Sequence, residues 1–272
     1  MPKAKVNGIE LYYEVHGSGD PLILIEGLGY ATWQWCHQVK ELSASYQTII
    51  FDNRGVGESD KPDVPYTIEM MADEAAELLR VLGIDKAHVL GTSMGGYIGQ
   101  RLAQRHPGLV LSLVLACTSF GGPHAIPITQ AALNSMLNVN GLSPEQVIRQ
   151  GFEAAFSREF PQQNPELIDQ LVTWRMSKPT PRYAWERQFA AAAGFNGETE
   201  LAEIMVPTLI VTGSEDLVIP PQNSVLLAER IPGAQLTTIQ DGGHLFFMEK
   251  SIEFNRVVLD FLHSQSGFVP GQ

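Results

Sequence analysis

Residues 89–96 read Val89-Leu90-Gly91-Thr92-Ser93-Met94-Gly95-Gly96. The apolar run that ends at Leu90 predicts a buried strand, and the amphipathic segment from Met94 to His106 predicts a helix. Between them stands the pattern Gly-x-Ser-x-Gly, and a strand, a tight turn and a helix in this order are typical of a nucleophile elbow. Ser93 is therefore the candidate nucleophile. The Met94 N–H, at the free start of the helix, is a candidate donor to a developing oxyanion.

The composition favours a globular protein with one sizeable core, or a core with an appended lobe. The chain has 272 residues, of which 44% are hydrophobic and 18% charged, and its net charge is −12. This acidity, without any Lys/Arg cluster, argues against nucleic acid or an anionic membrane as a partner. No apolar run approaches the ~20 residues that span a bilayer, and the N-terminus lacks the apolar segment of a signal peptide. We expect a cytoplasmic protein in which Cys36 and Cys117 are reduced.

Strand and helix patterns alternate along most of the chain. An antiparallel hairpin is predicted around Asn7-Gly8, and short apolar strands are predicted at 22–25, 48–51, 87–90, 110–116, 207–212 and 235–239. Helices are predicted at 32–42, 68–82, 94–106, 222–231 and 247–262, and the end from about Gln265 is expected to be frayed. This alternation predicts an α/β fold with a mostly parallel sheet and right-handed crossovers.

The pattern changes after Gly121-Gly122-Pro123. Residues 123–203 contain no convincing strand but several helical segments, which are rich in large apolar side chains. We interpret 123–203 as a helical cap, or lid, inserted between two sheet strands. The core then comprises residues 1–122 and 204–272.

A serine nucleophile needs a base, and a histidine base needs an acid that orients it. Of the seven histidines, His244 alone lies in a glycine-rich loop directly after a predicted sheet strand. Asp216 follows the 207–212 strand, so it is expected at the same sheet edge as Ser93 and His244. The order Ser, Asp, His is the one this constellation takes on a doubly wound sheet.

Other acidic residues are candidates for the same role. A second acid position would lie after the strand ending at Ala116, but residues 117–144 contain no Asp or Glu. Glu215 and Asp241 are nearer rivals, for which a helix-capping or solvated role is the better interpretation. Asp216 is therefore the candidate acid.

The oxyanion hole needs a second N–H besides that of Met94. The loop after the 22–25 strand can supply it, and we predict the Leu28 N–H, with glycines on both sides allowing close approach. The substrate pocket is predicted to include Gly27, Phe120, Trp185 and Leu245. The spacing of His and Cys offers no metal-ligand set, so neither a metal nor another cofactor is expected.

Together these motifs resemble the α/β-hydrolase superfamily over nearly the whole chain. The residues that carry the resemblance are Gly27-Leu28-Gly29, residues 51–59 (Phe51 to Ser59), Gly91 to Gly96, Gly213 to Asp216, and Gly243-His244 before Glu249 and Phe254. Within the superfamily the chain is most similar to small carboxylesterases and 3-oxoadipate enol-lactonase-like proteins. This implies an eight-stranded sheet flanked by helices, a four-helix lid and a Ser-His-Asp triad.

One departure concerns the oxyanion loop. The family usually has His-Gly where this chain has Glu26-Gly27. Our favoured interpretation is that Glu26 replaces the bracing hydrogen bonds of the histidine. A carboxylate here would also disfavour anionic substrates, which counts against a dicarboxylate lactone.

The expected function is hydrolysis of a small, fairly apolar carboxylic ester through an acyl-enzyme on Ser93. A serine nucleophile argues against the dehalogenases and epoxide hydrolases of this fold, which use Asp. Lactone hydrolysis, C–C bond hydrolysis, and acyl transfer or perhydrolysis would use the same three residues and stay open. A receptor that binds its ligand without turnover is the alternative from another functional class.

Overall fold

A computed structural model describes residues 2–265, and within them eight strands form a single sheet. The spatial order is β1-β2-β4-β3-β5-β6-β7-β8. The pairs β1–β2 and β2–β4 are antiparallel, and the remaining pairs are parallel. The strands are β1 (Lys3–Val6), β2 (Ile9–His16), β3 (Asp20–Ile25), β4 (Tyr46–Phe51), β5 (Ala87–Thr92), β6 (Val110–Ala116), β7 (Thr208–Gly213) and β8 (Gln235–Ile239).

Helices connect these strands and cover the sheet. They are α1 (Val39–Leu42), α2 (Ile68–Val81), α3 (Met94–Arg105), α4 (Gln130–Leu137), α5 (Pro144–Ala155), α6 (Phe160–Gln163), α7 (Pro165–Ser177), α8 (Arg182–Ala193), α9 (Gln222–Arg230), α10 (Phe246–Glu249) and α11 (Ser251–Gln265). The Thr67 hydroxyl caps α2 by accepting from the Met70 N–H, as its position before the apolar stripe predicts. No helix within residues 2–265 has the length and apolar character required to cross a membrane.

The core is divided by the sheet into two apolar clusters. Alternate residues of β3 face opposite sides, because successive side chains of a strand point to opposite faces. Ile23 and Ile25 pack in the cluster under α2 and α3, whereas Leu22 and Leu24 pack in the cluster under α11. Both faces of β3 are thus buried, which explains the wholly apolar run from Leu22 to Ile25.

Helices α4–α8 form the insertion between β6 and β7. Its two ends meet at the core, where the Gly122 N–H donates to Phe195 O (3.0 Å) and the Gly197 N–H donates to Phe120 O (2.8 Å). Leu201 and Ile204 pack in the core cluster under α2 and α3. The chain therefore leaves the core and returns to it at one place, with the helices between.

Two predicted helices are interrupted in the structure. The predicted 32–42 helix is a short 3₁₀ turn (Thr32–Trp35), a further turn that carries His37, and the four-residue α1. Side-chain hydrogen bonds set this path: Gln34 Nε2 donates to Thr92 Oγ1 (2.8 Å), and Gln38 Nε2 donates to Phe247 O (2.6 Å).

The predicted 247–262 helix is likewise split into α10 and α11 at Lys250, whose φ and ψ are −115° and 40°. Glu249, the last residue of α10, is held by the Gly243 and Ser157 N–H groups. The predicted fraying after Gln265 lies outside the described residues.

The order β4-β3-β5-β6 places a topological switch point between β3 and β5, because the chain runs to opposite sides from there. Open α/β sheets bind ligands at the carboxyl ends of strands at such a point. The loops after β3, β5, β7 and β8 all leave the sheet at this edge, and they carry the candidate residues.

Candidate active site

Ser93 lies in the sharp turn between β5 and α3. Its φ and ψ are 54° and −119°, a left-handed conformation that is strained for a residue with a side chain. Two hydrogen bonds hold the strained unit: the Ser93 N–H donates to Ala116 O (2.9 Å), and Thr118 Oγ1 donates to Ser93 O (2.8 Å). The Ser93 side chain makes no capping hydrogen bond to α3 and is partly exposed.

Glycine is required on both sides of this turn because backbone atoms approach too closely for a Cβ. A Cβ at Gly91 would lie 2.2 Å from Gly95 O, and one at Gly95 would lie 2.1 Å from Ile25 O. The elbow is therefore packed directly against β3, and this contact brings Ser93 beside the loop that follows β3.

His244 and Asp216 meet at the same edge. His244 Nδ1 lies 2.8 Å from Asp216 Oδ2, and both side chains are buried, with exposed fractions of 7% and 2%. Asp216 Oδ1 accepts from the N–H groups of Val218 (2.9 Å) and Ile219 (2.8 Å). One carboxylate oxygen is thus fixed by the backbone, and the other is directed at the imidazole.

The His244 loop is held from below by Glu249. Its carboxylate accepts from the Gly243 N–H (2.7 Å) and from Ser157 Oγ (2.6 Å). Ser157 lies just after the end of α5. Burial raises the pKa of Glu249, and the hydrogen bonds from Ser157 and Gly243 partly offset that rise. The same side chain therefore fixes the His244 loop and anchors the insertion to it.

The N–H groups of Leu28 and Met94 donate to no other group within residues 2–265, whereas those of Gly27, Gly29 and Ser93 do. The Gly27 N–H donates to Gln34 Oε1 (3.3 Å), and the Gly29 N–H donates to Gln188 Oε1 (2.8 Å). A Cβ built at Gly27 would lie 3.3 Å from Ser93 Cβ. Two unpaired backbone donors consequently flank the serine, one from each predicted loop.

The oxyanion loop is clamped between two buried glutamines from distant segments. Gln34 also donates to Thr92 Oγ1 in β5, and Gln188, on α8 of the insertion, donates to Arg54 O (2.7 Å). Both side chains are buried. The glutamine oxygens occupy the flanking N–H groups, which leaves the Leu28 N–H available.

Glu26 is fully buried and points away from solvent. Asn53 Nδ2 donates to Glu26 Oε2 (3.2 Å) and to Glu26 O (3.3 Å), so Glu26 makes bracing hydrogen bonds. Burial, with a smaller contribution from Asp52, raises the pKa of Glu26 well above its ordinary value and favours the uncharged acid. This direction weakens the basis for the expected repulsion of anions by a carboxylate at this position, which stays a prediction.

Cys117 stands where the second acid position was considered. It follows β6 with a φ of 43° and is buried. Burial, together with the nearby Asp216 charge, raises the pKa of its thiol well above the ordinary value, and the Ser93 backbone partly opposes this. Cys117 therefore lies close to both Asp216 and the Ser93 backbone.

The four predicted pocket residues lie in different environments. Gly27 lies beside Ser93, and a Cβ at Gly29 would lie 2.9 Å from Trp185 Cδ1, so Trp185 of α8 covers the oxyanion loop. Leu245 is buried next to His244, and its N–H donates to Ala155 O. Phe120 is fully buried in the core cluster at the base of the insertion, where the Arg230 guanidinium lies 5.0 Å from its ring centroid.

Sequence reasoning missed Gln34, Gln188 and Arg175, all of which reach the oxyanion loop. Glutamines and arginines on helices form no recognisable motif. The one available signal for Gln188 is its place on the buried stripe of α8, between Ala184 and Ala191. A lone amide on an otherwise apolar helix face must find buried partners.

Comparisons with known proteins agree with this geometry. The α/β-hydrolase fold family matches residues 20–251. A relative from Stutzerimonas stutzeri (strain A1501), which carries the name carbamate hydrolase RutD, is 32% identical over 266 residues, covering 95% of this chain and 99% of the relative. The crystal structure of the enol-lactonase from Burkholderia xenovorans LB400 superposes with a TM-score of 0.86 at 27% identity, covering 96% of this chain and 99% of that one.

A further solved structure, Est816, described as an N-acyl homoserine lactone degrading enzyme, gives a TM-score of 0.81 at 28% identity and covers 96% of this chain and 100% of its own. The family match spans most of the chain and includes the loops after β3, β5, β7 and β8. The chain therefore belongs to the α/β-hydrolase family.

Proposed function

We propose that the chain is a serine-dependent carboxylic ester hydrolase, with Ser93 as nucleophile, His244 as base and Asp216 as the acid that orients it. The observation that carries this proposal is the pair of unpaired N–H groups, Leu28 and Met94, beside a strained serine. Backbone donors of this kind stabilise the oxyanion of acyl transfer. The Asp216–His244 hydrogen bond supports the assignment of base and acid.

In the acylation step Ser93 Oγ attacks the ester carbonyl carbon while His244 Nε2 takes the hydroxyl proton. The carbonyl oxygen becomes an oxyanion, which accepts from the Leu28 and Met94 N–H groups. When the tetrahedral intermediate collapses, the C–O bond to the alcohol breaks and Nε2 returns the proton to the leaving oxygen. A water molecule, deprotonated by Nε2, then attacks the carbonyl carbon of the acyl-enzyme. The bond from this carbon to Ser93 Oγ breaks, Nε2 returns the proton to Ser93 Oγ, and the acid is released. Asp216 holds Nδ1–H throughout and stabilises the imidazolium.

The proposed substrate is small and largely apolar, and we propose that α4–α8 act as the lid over it. Aromatic rings gather where the insertion meets the oxyanion loop. The ring centroids of Tyr30 and Trp33 are 5.2 Å apart, and those of Trp33 and Trp174 are 6.4 Å apart. Such rings provide apolar contact area for an acyl or alcohol group.

The test is steady-state hydrolysis of p-nitrophenyl esters of increasing acyl length by the wild-type protein and by Ser93→Ala. We expect multiple turnovers for the wild type and a fall in kcat on the order of 10⁵-fold for the variant. Ser135→Ala is the matched control, because its hydroxyl bonds only to Ala132 O within the insertion. Activity that survives in Ser93→Ala would overturn the proposal, and binding without turnover by the wild type would indicate a receptor.

Lactone hydrolysis is the second candidate, and it is favoured by the two structural neighbours described as an enol-lactonase and a homoserine lactone degrading enzyme. A lactone is an internal ester, so the chemistry of the acylation step is the same. A panel that pairs each open-chain ester with a lactone of equal carbon number separates the two, by the ratio of their kcat/KM values.

A further inference from the structure

A guanidinium stands at the oxyanion loop without a carboxylate partner. A Cβ built at Gly29 would lie 3.2 Å from Arg175 Nη2, so the charged end of this α7 side chain reaches the loop that carries the Leu28 N–H. Gly27, at the other end of the same three-residue loop, lies beside Ser93. The two glycine Cα atoms are separated by two peptide steps, at most about 8 Å.

Arg175 is unusual among the arginines of the chain. Within residues 2–265 no carboxylate lies at ion-pair distance from its guanidinium, whereas most other arginines have such a partner. Arg158 and Arg256 also lack one, but both are exposed to solvent, whereas Arg175 is partly buried. Lys178, at the end of the same helix, is paired with Glu58.

The protein contact of Arg175 leaves most of its donors available. Its Cζ lies 4.9 Å from the centroid of the Tyr30 ring. Burial raises the pKa of the Tyr30 phenol, and the Arg175 guanidinium partly counters that rise through its charge and through a hydrogen bond to the hydroxyl. A guanidinium has five N–H donors, so this one hydrogen bond leaves most of them available.

Several residues around this charge keep part of their surface accessible to solvent. Ser93, Leu28, Tyr30, Arg175 and Trp185 are all partly exposed, although the segments that carry them are otherwise largely buried. Glu26 is buried behind the loop, where Asn53 donates to its carboxyl group and burial raises its pKa. The protein carries a net charge of −12. An unpaired positive group at this edge therefore distinguishes it from the rest of an acidic protein.

We propose that Arg175 is a specificity-determining residue that binds an anionic group, of the carboxylate class, on the acyl or alcohol part of the substrate. This inference rests on the proposed function and refines it, from small and largely apolar esters to those whose apolar body also bears a carboxylate. The planar fork of a guanidinium matches a carboxylate in a bidentate manner. The apolar body of the substrate then lies against the aromatic rings between Ser93 and Arg175.

The test compares two esters of equal chain length, p-nitrophenyl butyrate and mono-p-nitrophenyl succinate, which differ in a terminal methyl or carboxylate. In Arg175→Gln we expect kcat/KM for the succinate ester to fall about 10- to 100-fold, mostly through KM, because hydrogen bonds to a charged group are lost. The value for the butyrate ester should change by less than about 2-fold, and Arg175→Lys should restore part of the lost activity.

A further variant serves as the control. Arg182→Gln removes the same charge from the neighbouring helix, where Arg182 is 82% exposed and paired with Glu186, and it should leave both esters unaffected. Equal losses on both esters in Arg175→Gln, or no loss on either, would refute the carboxylate site.

If the proposed function is wrong, the wild type turns over neither ester. Titration calorimetry with succinate and succinamide then tests anion binding at Arg175 independently of turnover. Tighter binding of succinate, abolished in Arg175→Gln and kept in Arg182→Gln, supports it. Equal binding of the two compounds, or binding of neither, rejects it.

Discussion

The two sides of the candidate active site are constructed by different means. On the sheet side the chemistry depends on backbone: a serine at positive φ, two unpaired N–H groups, and glycines that allow β3 and α3 to touch. On the insertion side it depends on side chains, because Gln188, Arg175 and Trp185 reach the oxyanion loop from α7 and α8. On the sheet side the backbone itself positions the candidate groups. On the insertion side, side chains contact the loop that carries the Leu28 N–H.

This difference has a consequence for substitutions. Where two backbone segments approach too closely for a Cβ, only glycine fits. The three candidate catalytic positions likewise tolerate few residue types. A side chain that reaches in from a helix can be replaced with a graded effect. Changes on the sheet side should therefore abolish turnover or folding, whereas changes on the insertion side should alter rate or specificity.

The largest effect is expected from Asp216→Asn. The Asn oxygen can still accept from the Val218 and Ile219 N–H groups, but its NH₂ then faces His244 Nδ1 and forces the wrong tautomer. We expect kcat to fall on the order of 10⁴-fold, as the loss of tautomer control does in serine hydrolases, with thermal unfolding little changed. Ester turnover and circular dichroism measure the two quantities.

The rival acids provide matched controls for this substitution. Glu215→Gln and Asp241→Asn should each leave kcat within about 3-fold, because both side chains are exposed and hydration compensates for the loss. If either variant were as inactive as Asp216→Asn, the assignment of the orienting acid would be wrong.

An intermediate effect is expected from Gly95→Ala, on stability. The new Cβ would lie 2.1 Å from Ile25 O in β3, so the elbow and the strand must separate, at a cost of about 3 kcal/mol in the free energy of unfolding. Gly151→Ala makes the same change in helix α5 of the insertion, where nothing lies within 4 Å. It should stabilise by about 0.5–1 kcal/mol, because alanine favours helix.

Urea unfolding of the two alanine variants measures this contrast. Opposite signs are expected for the sheet side and the insertion side. Two shifts of the same sign would mean that the close approach of α3 to β3 does not limit the packing of the elbow.

The smallest effect is expected from Gln188→Met, which keeps the side-chain volume but removes both hydrogen bonds. The Gly29 N–H and Arg54 O lose their partner, and the oxyanion loop loses its tie to α8. We expect kcat to fall about 10-fold with little change in KM, because the Leu28 N–H matters most in the transition state.

Gln150→Met is the matched control for this loop. Gln150 donates to Ser135 O inside the insertion, so its replacement should leave kcat unchanged. A Gln188→Met variant that is less stable but has normal kcat would show that Gln188 holds the insertion in place without positioning the oxyanion hole.

The frame of the site could be predicted from local sequence, because its parts obey local rules. A buried parallel strand is a short apolar run, an elbow needs its glycines, and the loops after β5, β7 and β8 meet because parallel strands share an edge. These rules predicted the strands, the order of Ser93, Asp216 and His244, and the helical character of the insertion. The resemblance implies a four-helix lid. The insertion contains five helices, of which α6 is a single turn.

The failures share one cause. The 32–42 helix is broken because Gln34 and Gln38 make hydrogen bonds to β5 and α10, and the predicted 247–262 helix is broken where Glu249 holds the Gly243 loop. Burial raises the pKa of Glu26, and composition does not reveal that burial. In each case the partner lies far away in the chain.

By itself, the sequence determined the sheet, the elbow and the identity of the three candidate catalytic side chains, since strand period, glycine spacing and strand order depend on neighbouring residues. The tertiary structure alone decided which N–H groups stay unpaired, that Glu26 is buried beside Asn53, and that Gln188 and Arg175 reach the oxyanion loop. The physical reason is that a hydrogen bond or an unpaired charge depends on the distance between atoms, and only packing brings together Gly29 and Gln188, which are 159 residues apart in the chain.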